Sequence, residues 1–217
     1  MIISILGGTG DQGPGMAMRW AKAGIDVIIG SRQQEKAQGV AAELNQILGQ
    51  DLIKGMANPE AAAAADVVAL TVPFAAHQAT IESVKEHLGG KVFIDVCVPL
   101  DPDNPRKMKP PAAGSATEEA QALLGDAVKV VAAFQNVSAS ELRELDHAID
   151  CDVLICGNDR EARQTVMDLV KQMGLHPVDA GLAYNANVIE SLTALLIGLN
   201  IRNKVKGSGV RITGLPG

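Results

Sequence analysis

At 217 residues the chain can bury a sizeable core and suits one extended domain, or a nucleotide domain with a small appendage. A content of 47% hydrophobic and 20% charged residues argues against a disordered chain, and aromatics at only 2% argue against a nucleic-acid binder that works by base stacking. The formal net charge of −6 argues equally against non-specific binding to nucleic acid or to an anionic membrane.

No run of about 18 apolar residues is present to span a membrane, and the N-terminus opens directly on a strand pattern, so a cytoplasmic protein is expected. Cys97, Cys151 and Cys156 form no CxxC pair, and His77, His87, His147 and His176 match no metal-ligand spacing. The expectation is no disulfide framework, no metal site, and histidines at the surface or at helix ends.

In chain order, Ile2, Ile3, Ile5 and Leu6 make a short, mostly β-branched run suited to a central parallel strand buried on both faces. Gly8, Gly10 and Gly13 follow with the G-x-G-x-x-G spacing of a dinucleotide-binding turn. The first permits the turn, the second lets backbone N–H groups approach a pyrophosphate, and the third lets the helix pack close to the strand. Three glycines alone are a weak signal. Here a helix through Met16, Ala17, Trp20 and Ala21 and a strand over 26–30 complete a βαβ unit, and the helix N-terminus suits a phosphate.

The end of that second strand bears on which nucleotide is taken. NAD-selective enzymes place an acid there for the ribose hydroxyls, whereas this chain reads Gly30-Ser31-Arg32, with Lys36 one turn on. Ser31 can donate a hydrogen bond, Arg32 can fork onto a 2′-phosphate and Lys36 adds a point charge. Asp11 comes too early to be the ribose acid. The plainer alternative for Arg32 and Lys36 is two solvated charges at a helix start.

Further along, the pattern predicts a helix over 36–48, a short strand over 52–55, and a helix opened by Asn58 as cap with Pro59 and Glu60 in its first turn. A strand over 66–73 ends at Pro73, which would set Thr71, Val72 and Phe74 beside a bound nucleotide, or mark only the stop of a strand. A helix over 75–88 and a strand over 91–96 precede the irregular, proline-rich stretch 99–115. That stretch carries Arg106, Lys107 and Lys109 and reads as a basic lid for an anionic substrate or as a solvated linker.

A helix over 116–124 leads to a strand over 128–133, whose exit is Phe134-Gln135-Asn136-Val137-Ser138. Uncharged amides there can orient a flat heterocycle, although Ser138 also suits the cap of the next helix. A strand over 152–157, a helix capped by Asn158 or Asp159 and reaching 173, and a strand over 175–179 continue the alternation. The whole predicts a doubly wound sheet of about eight strands with helices on both faces. The helix over 184–201 is apolar almost all round, which favours a homodimer interface over simple burial, and Glu190, Ser191 and Thr193 are polar groups on it that need partners.

GGTGDQG, GSR with Lys36, LTVPF, VVAAFQNVSA, CDVLICG, DAG, VIESLTALLIGLN and GSGVRITGL, in that order over nearly the whole chain, resemble the NADPH-dependent coenzyme F420 reductases, the F420H2:NADP oxidoreductases. The resemblance implies a Rossmann-type, mostly parallel sheet with a smaller C-terminal helical portion: residues 1–137 bind NADP, and 138–217 complete the deazaflavin pocket and dimer interface. It also implies direct, reversible hydride transfer between NADP and F420 with no metal and no catalytic side chain.

Carried onto matching positions, the resemblance puts Thr9, Gly10, Asp11 and Gln12 at the pyrophosphate and Ser31, Arg32 and Lys36 at the 2′-phosphate. Val72, Phe74 and Gln78 flank the nucleotide, and Val98 approaches the nicotinamide. Gln135, Asn136, Val137, Ser191, Thr193, Gly209 and Val210 border the deazaflavin. Relatives often carry His where this chain has Gln135, and Gln can hydrogen-bond but not titrate near neutrality. A reductase of flavin or another small carrier, and a non-catalytic NADP-binding sensor, are the competing readings.

Overall fold

The computed structural model describes residues 1–215. Its strands and helices are, in order, β1 (Ile2–Leu6), α1 (Gln12–Lys22), β2 (Asp26–Ser31), α2 (Gln34–Leu48), β3 (Ile53–Ala57), α3 (Asn58–Ala64), β4 (Val67–Leu70), α4 (His77–Val84) and β5 (Val92–Asp95). There follow β6 (Leu100–Asp101), β7 (Asn104–Met108), α5 (Ala116–Leu124), β8 (Lys129–Ala132), α6 (Ala139–Arg143), β9 (Asp152–Gly157), α7 (Arg160–Gln172), β10 (His176–Asp179) and α8 (Ala186–Asn203).

Eight strands form one sheet in the order β10-β9-β8-β5-β4-β1-β2-β3. Neighbours run parallel except β8 and β9, which meet antiparallel with Val131 opposite Gly157. From β1 the chain winds outward through β2 to β3, then returns to β4 on the other side of β1. That reversal opens a crevice at the carboxyl ends of β1 and β4, where ligands of such sheets bind.

Alternation along the strands divides the core between the two faces. Ile3 and Ile5 of β1 pack with Trp20, Leu44, Val166 and Val170, while Leu6 packs with Ile28, Ile81, Phe93 and Leu124. Helices α1, α2 and α7 therefore cover one face and α3, α4 and α5 the other. With few aromatics available, Trp20 carries much of the first face: its ring meets Phe134 edge-on at 5.9 Å and its Nε1 donates to the Leu169 carbonyl at 3.2 Å.

Four expectations need correction in whole or in part. The stretch 99–115 is not wholly irregular, because β6 and β7 form an antiparallel hairpin within it. Asn58 does not cap α3: Ala57 holds the cap position and the Asn58 side chain turns inward. Ser138 does hold the cap position of α6, as expected, but its side chain makes no capping bond; its hydroxyl donates to the Lys206 carbonyl instead. His77 does stand at a helix end, as the first residue of α4, but it is fully buried and not at the surface.

Candidate active site

Two cavities meet across the carboxyl ends of the strands. The larger, about 600 Å³, lies toward β8 and α8; the other, about 580 Å³, lies toward β2 and β3. Both are bordered by Gly10, Thr71, Val72 and Pro73, so they form one cleft pinched at the glycine turn. Each is within the size usual for small-molecule sites.

The turn itself differs in detail from the glycine pattern. It is Gly7, not Gly8, that takes the left-handed backbone (φ 68°), and a Cβ there would strike the Val72 side chain. Gly8 is buried and donates to the Gly30 carbonyl at 3.0 Å, with Gly13 packed directly against it. These two glycines draw α1 onto β1 and β2. Gly10 stands exposed at the junction of the cavities.

Around the smaller cavity stand Thr9, Ser31, Arg32, Lys36 and Asn58. Ser31 is buried and its Oγ accepts from the Gln33 N–H at 3.2 Å, which folds the chain sharply at the end of β2. Arg32 and Lys36 are exposed, and neither takes part in an ion pair among the described residues. No carboxylate is among the described residues lining this cavity. Two uncompensated cations and a hydroxyl fit a phosphate monoester.

The larger cavity holds Asp11, Gln12, Phe74, Val98, Gln135, Asn136, Val137 and Thr193. Gln12 Nε2 reaches the Phe134 and Val137 carbonyls at 3.4 and 3.3 Å, tying the start of α1 to the exit of β8. Phe134 adopts φ 74°, a conformation unfavourable for a bulky residue and found mainly where function demands it. Gln135, only 5% exposed, donates Nε2 to the Asp95 carbonyl at 2.7 Å, while Thr193 Oγ1 donates to the Gln135 carbonyl at 2.8 Å. The amide oxygen Oε1 of Gln135 is buried with no partner among the described residues. An acceptor left unmet inside a cavity costs free energy until a donor arrives, which fits the ring N–H or carboxamide of a heterocycle.

Other expected residues sit elsewhere. Asn136 lines the cavity, but its side chain is used by β9, with Nδ2 on the Asp152 carbonyl at 2.7 Å and Oδ1 accepting from Leu154 N–H. Gln78 is exposed and bonds Glu82, and Ser191 is half-buried and borders neither cavity. Gly209 and Val210 lie against Cys151 and Asp152, whereas Lys206 and Ser208 of the same tail face the larger cavity.

Beneath the cleft lies a buried polar cluster that the sequence reading missed. His77 Nε2 pairs with Asp95 Oδ2 at 2.9 Å and Nδ1 with Glu119 Oε1 at 3.2 Å. Burial alone would lower the His77 pKa, but hydrogen bonds and charge from Asp95 and Glu119 outweigh it and raise the value. Asp95 Oδ1 accepts from the Cys97 N–H at 3.0 Å, so the cluster fixes the exit of β5. The ligand-type atoms of His77, Asp95 and Cys97 lie within 4.8 Å of one another, yet both imidazole nitrogens are already engaged by carboxyl groups. Burial pushes the Cys97 thiol well up, which makes it a weak donor in the cavity floor rather than a nucleophile.

Glu190 of α8 supplies a second buried carboxyl group. It accepts from the Ala116 and Thr117 N–H groups at the start of α5, at 3.0 and 3.2 Å, and so joins α8 to α5. Burial raises its pKa from 4.5 to about 8. A carboxyl group with a raised folded-state value favours folding most when protonated, so that contribution declines between about pH 4.5 and 8. Glu190→Gln removes the titration. The melting temperature of this variant should lie below that of the parent at pH 5, with the gap narrowing by pH 8; a gap that widens would contradict this.

The family described as NADP oxidoreductase coenzyme F420-dependent matches residues 2–99. Over 99% of both chains the protein is 46% identical to the F420-dependent NADP reductase of Methanocaldococcus jannaschii. It is 44% identical to that of Methanothermobacter thermautotrophicus, over 100% of this chain and 96% of the other. Among solved structures, a candidate F420-dependent NADP-reductase from Arthrobacter sp. FB24 superposes with a TM-score of 0.84 at 28% identity, covering 98% of this chain and 99% of that one. With a glycine turn, a basic cavity and a ring-sized cavity in one cleft, and full-length identity at this level, the chain belongs to the F420-dependent NADP reductase family.

Proposed function

We propose that this protein is an oxidoreductase that moves a hydride reversibly between NADP(H) and coenzyme F420. The observation that carries the reading is the paired cleft, basic and free of acid among the described residues on one side, and on the other walled chiefly by amides, hydroxyls and apolar groups, with Asp11 and Lys206 as its charged members. When bound, the nicotinamide and deazaflavin rings supply the redox chemistry themselves. Thr9, Gly10 and the start of α1 bind the pyrophosphate; Ser31, Arg32 and Lys36 bind the 2′-phosphate. Val72, Phe74 and Val98 give the rings an apolar wall that excludes water. Gln135 orients a ring through its free Oε1, while Thr193 holds the Gln135 backbone from α8. Positioning is the main catalytic contribution of such a site.

In this reading residues 1–137 hold the nucleotide, and 138–217 close the deazaflavin pocket through Thr193 and the tail at Lys206 and Ser208. We further infer a homodimer through α8, where Val188 and Leu195 are 61% and 55% exposed beside Tyr184 at 65%. Three free, buried thiols agree with a reducing compartment such as the cytoplasm. No helix among the described residues is long and apolar enough to cross a membrane.

Absorbance assays with NADPH and either F420 or FMN test the proposal. Reduction of F420 at a rate well above that of FMN is expected. Turnover of FMN alone would make the protein a flavin reductase, and tight NADP binding without turnover of either carrier would make it a sensor.

A further inference from the structure

Selectivity for a phosphorylated nucleotide raises a difficulty at the ribose. In NAD-selective enzymes a carboxylate at the end of the second strand binds the ribose hydroxyls. Here β2 ends at Ser31, and a carboxylate in its place would repel a 2′-phosphate. The hydroxyls of the nucleotide still need a partner.

The neighbouring strand offers one. β3 pairs with β2 so that Ala57 lies opposite Ser31, which brings Asn58 out beside the same cavity. Asn58 is 4% exposed although it begins a helix, because its side chain turns inward instead of capping. Its Oδ1 accepts from the Gly7 N–H at 3.4 Å, which fixes the end of the amide that faces the glycine turn. Gly30 makes the room: a Cβ there would stand 2.8 Å from Asn58 Oδ1. With the oxygen so engaged, Asn58 Nδ2 donates to no protein atom among the described residues. A buried amide with a free donor lines the cavity that holds Ser31, Arg32 and Lys36.

We propose that Asn58 is a specificity-determining residue that donates a hydrogen bond to the adenosine ribose or its phosphate, supplying without charge the contact a carboxylate makes in NAD-selective enzymes. This rests on the NADP reading of the site. The residue acts on the nucleotide half alone and takes no part in the choice of carrier.

Titration calorimetry of the full chain with 2′,5′-ADP and 5′-ADP separates the possibilities without any turnover. The parent should prefer 2′,5′-ADP. Asn58→Asp keeps the shape but adds charge, and should lower that preference by about tenfold or more, chiefly by weakening 2′,5′-ADP. Asn58→Ala should weaken both ligands by a similar factor of about three to ten. Because each comparison is a ratio within one variant, a partial loss of folding from the missing Gly7 partner cancels. A ratio for Asn58→Asp within twofold of the parent would overturn the role of Asn58 while leaving the NADP reading intact. A parent with no preference would overturn the NADP reading itself, and this assignment with it.

Discussion

Replacing His77 with alanine should lower the stability of the protein by about 3–5 kcal/mol, enough to leave much of it unfolded at ordinary temperatures. The imidazole is fully buried between Asp95, also fully buried, and Glu119. Removing it strands the Asp95 carboxyl group in an apolar interior, and the cost of an unpaired buried charge far exceeds that of a lost contact. Urea unfolding measures the change directly. A paired change, His77→Leu with Asp95→Asn, removes the charge as well and should recover part of the loss. If the single variant unfolds at the same urea concentration as the parent, the ion pair is not what holds this region.

The same pair gives a pH signature. Because the His77 pKa is raised above its ordinary 6.5, its contribution is complete below that value and declines as pH rises through the raised one. Glu190 acts in the same direction, so urea unfolding should show the parent more stable at pH 5.5 than at pH 8.5.

The second large effect concerns nucleotide choice. Arg32→Ala should weaken NADPH use by about ten- to a hundredfold, as expected for a charged hydrogen bond of about 1.5–3 kcal/mol, and leave NADH nearly unchanged. Arg32 borders the basic cavity and is exposed, so its removal leaves no buried group unmet and the fold intact. Values of kcat/KM for both nucleotides decide the matter. An equal loss with NADH would mean that Arg32 serves the pyrophosphate or the turn instead of the 2′-phosphate.

Much of this architecture can be read from local pattern. β1 and β9 run over the residues their apolar runs predict, α5 spans 116–124 as expected, and Asp159 does cap α7 through the Ala162 N–H at 2.9 Å. Such features depend on neighbours in sequence. What local pattern did not reveal depends on partners far away. His77 is drawn inward by groups 18 and 42 residues on, and Asn58 faces a glycine turn 51 residues earlier. The β6–β7 hairpin was hidden by Pro105 and by its polar surface, since it forms a sheet of its own and rests on α8. The reversed direction of β9 likewise follows from the path of the chain through α6, about which the strand residues say nothing.

The candidate site divides the same way. Ser31, Arg32 and Lys36 could be found because charge and spacing betray them. Gln135 could be placed at the end of β8, but its clamped amide and idle oxygen arise only once β5 and α8 are packed around it. Lys206 and Ser208 carried no local signal beyond an acid-free tail.

The left-handed backbone at Phe134 has a consequence for how the cleft works. Its ring is held edge-on against Trp20, and its carbonyl receives both Gln12 and the Val137 N–H. The chain just beyond it therefore cannot relax into an ordinary turn unless the aromatic ring leaves the interior. This wall of the pocket is set during folding, so an incoming ring system meets a finished surface and need not spend its own affinity on shaping one.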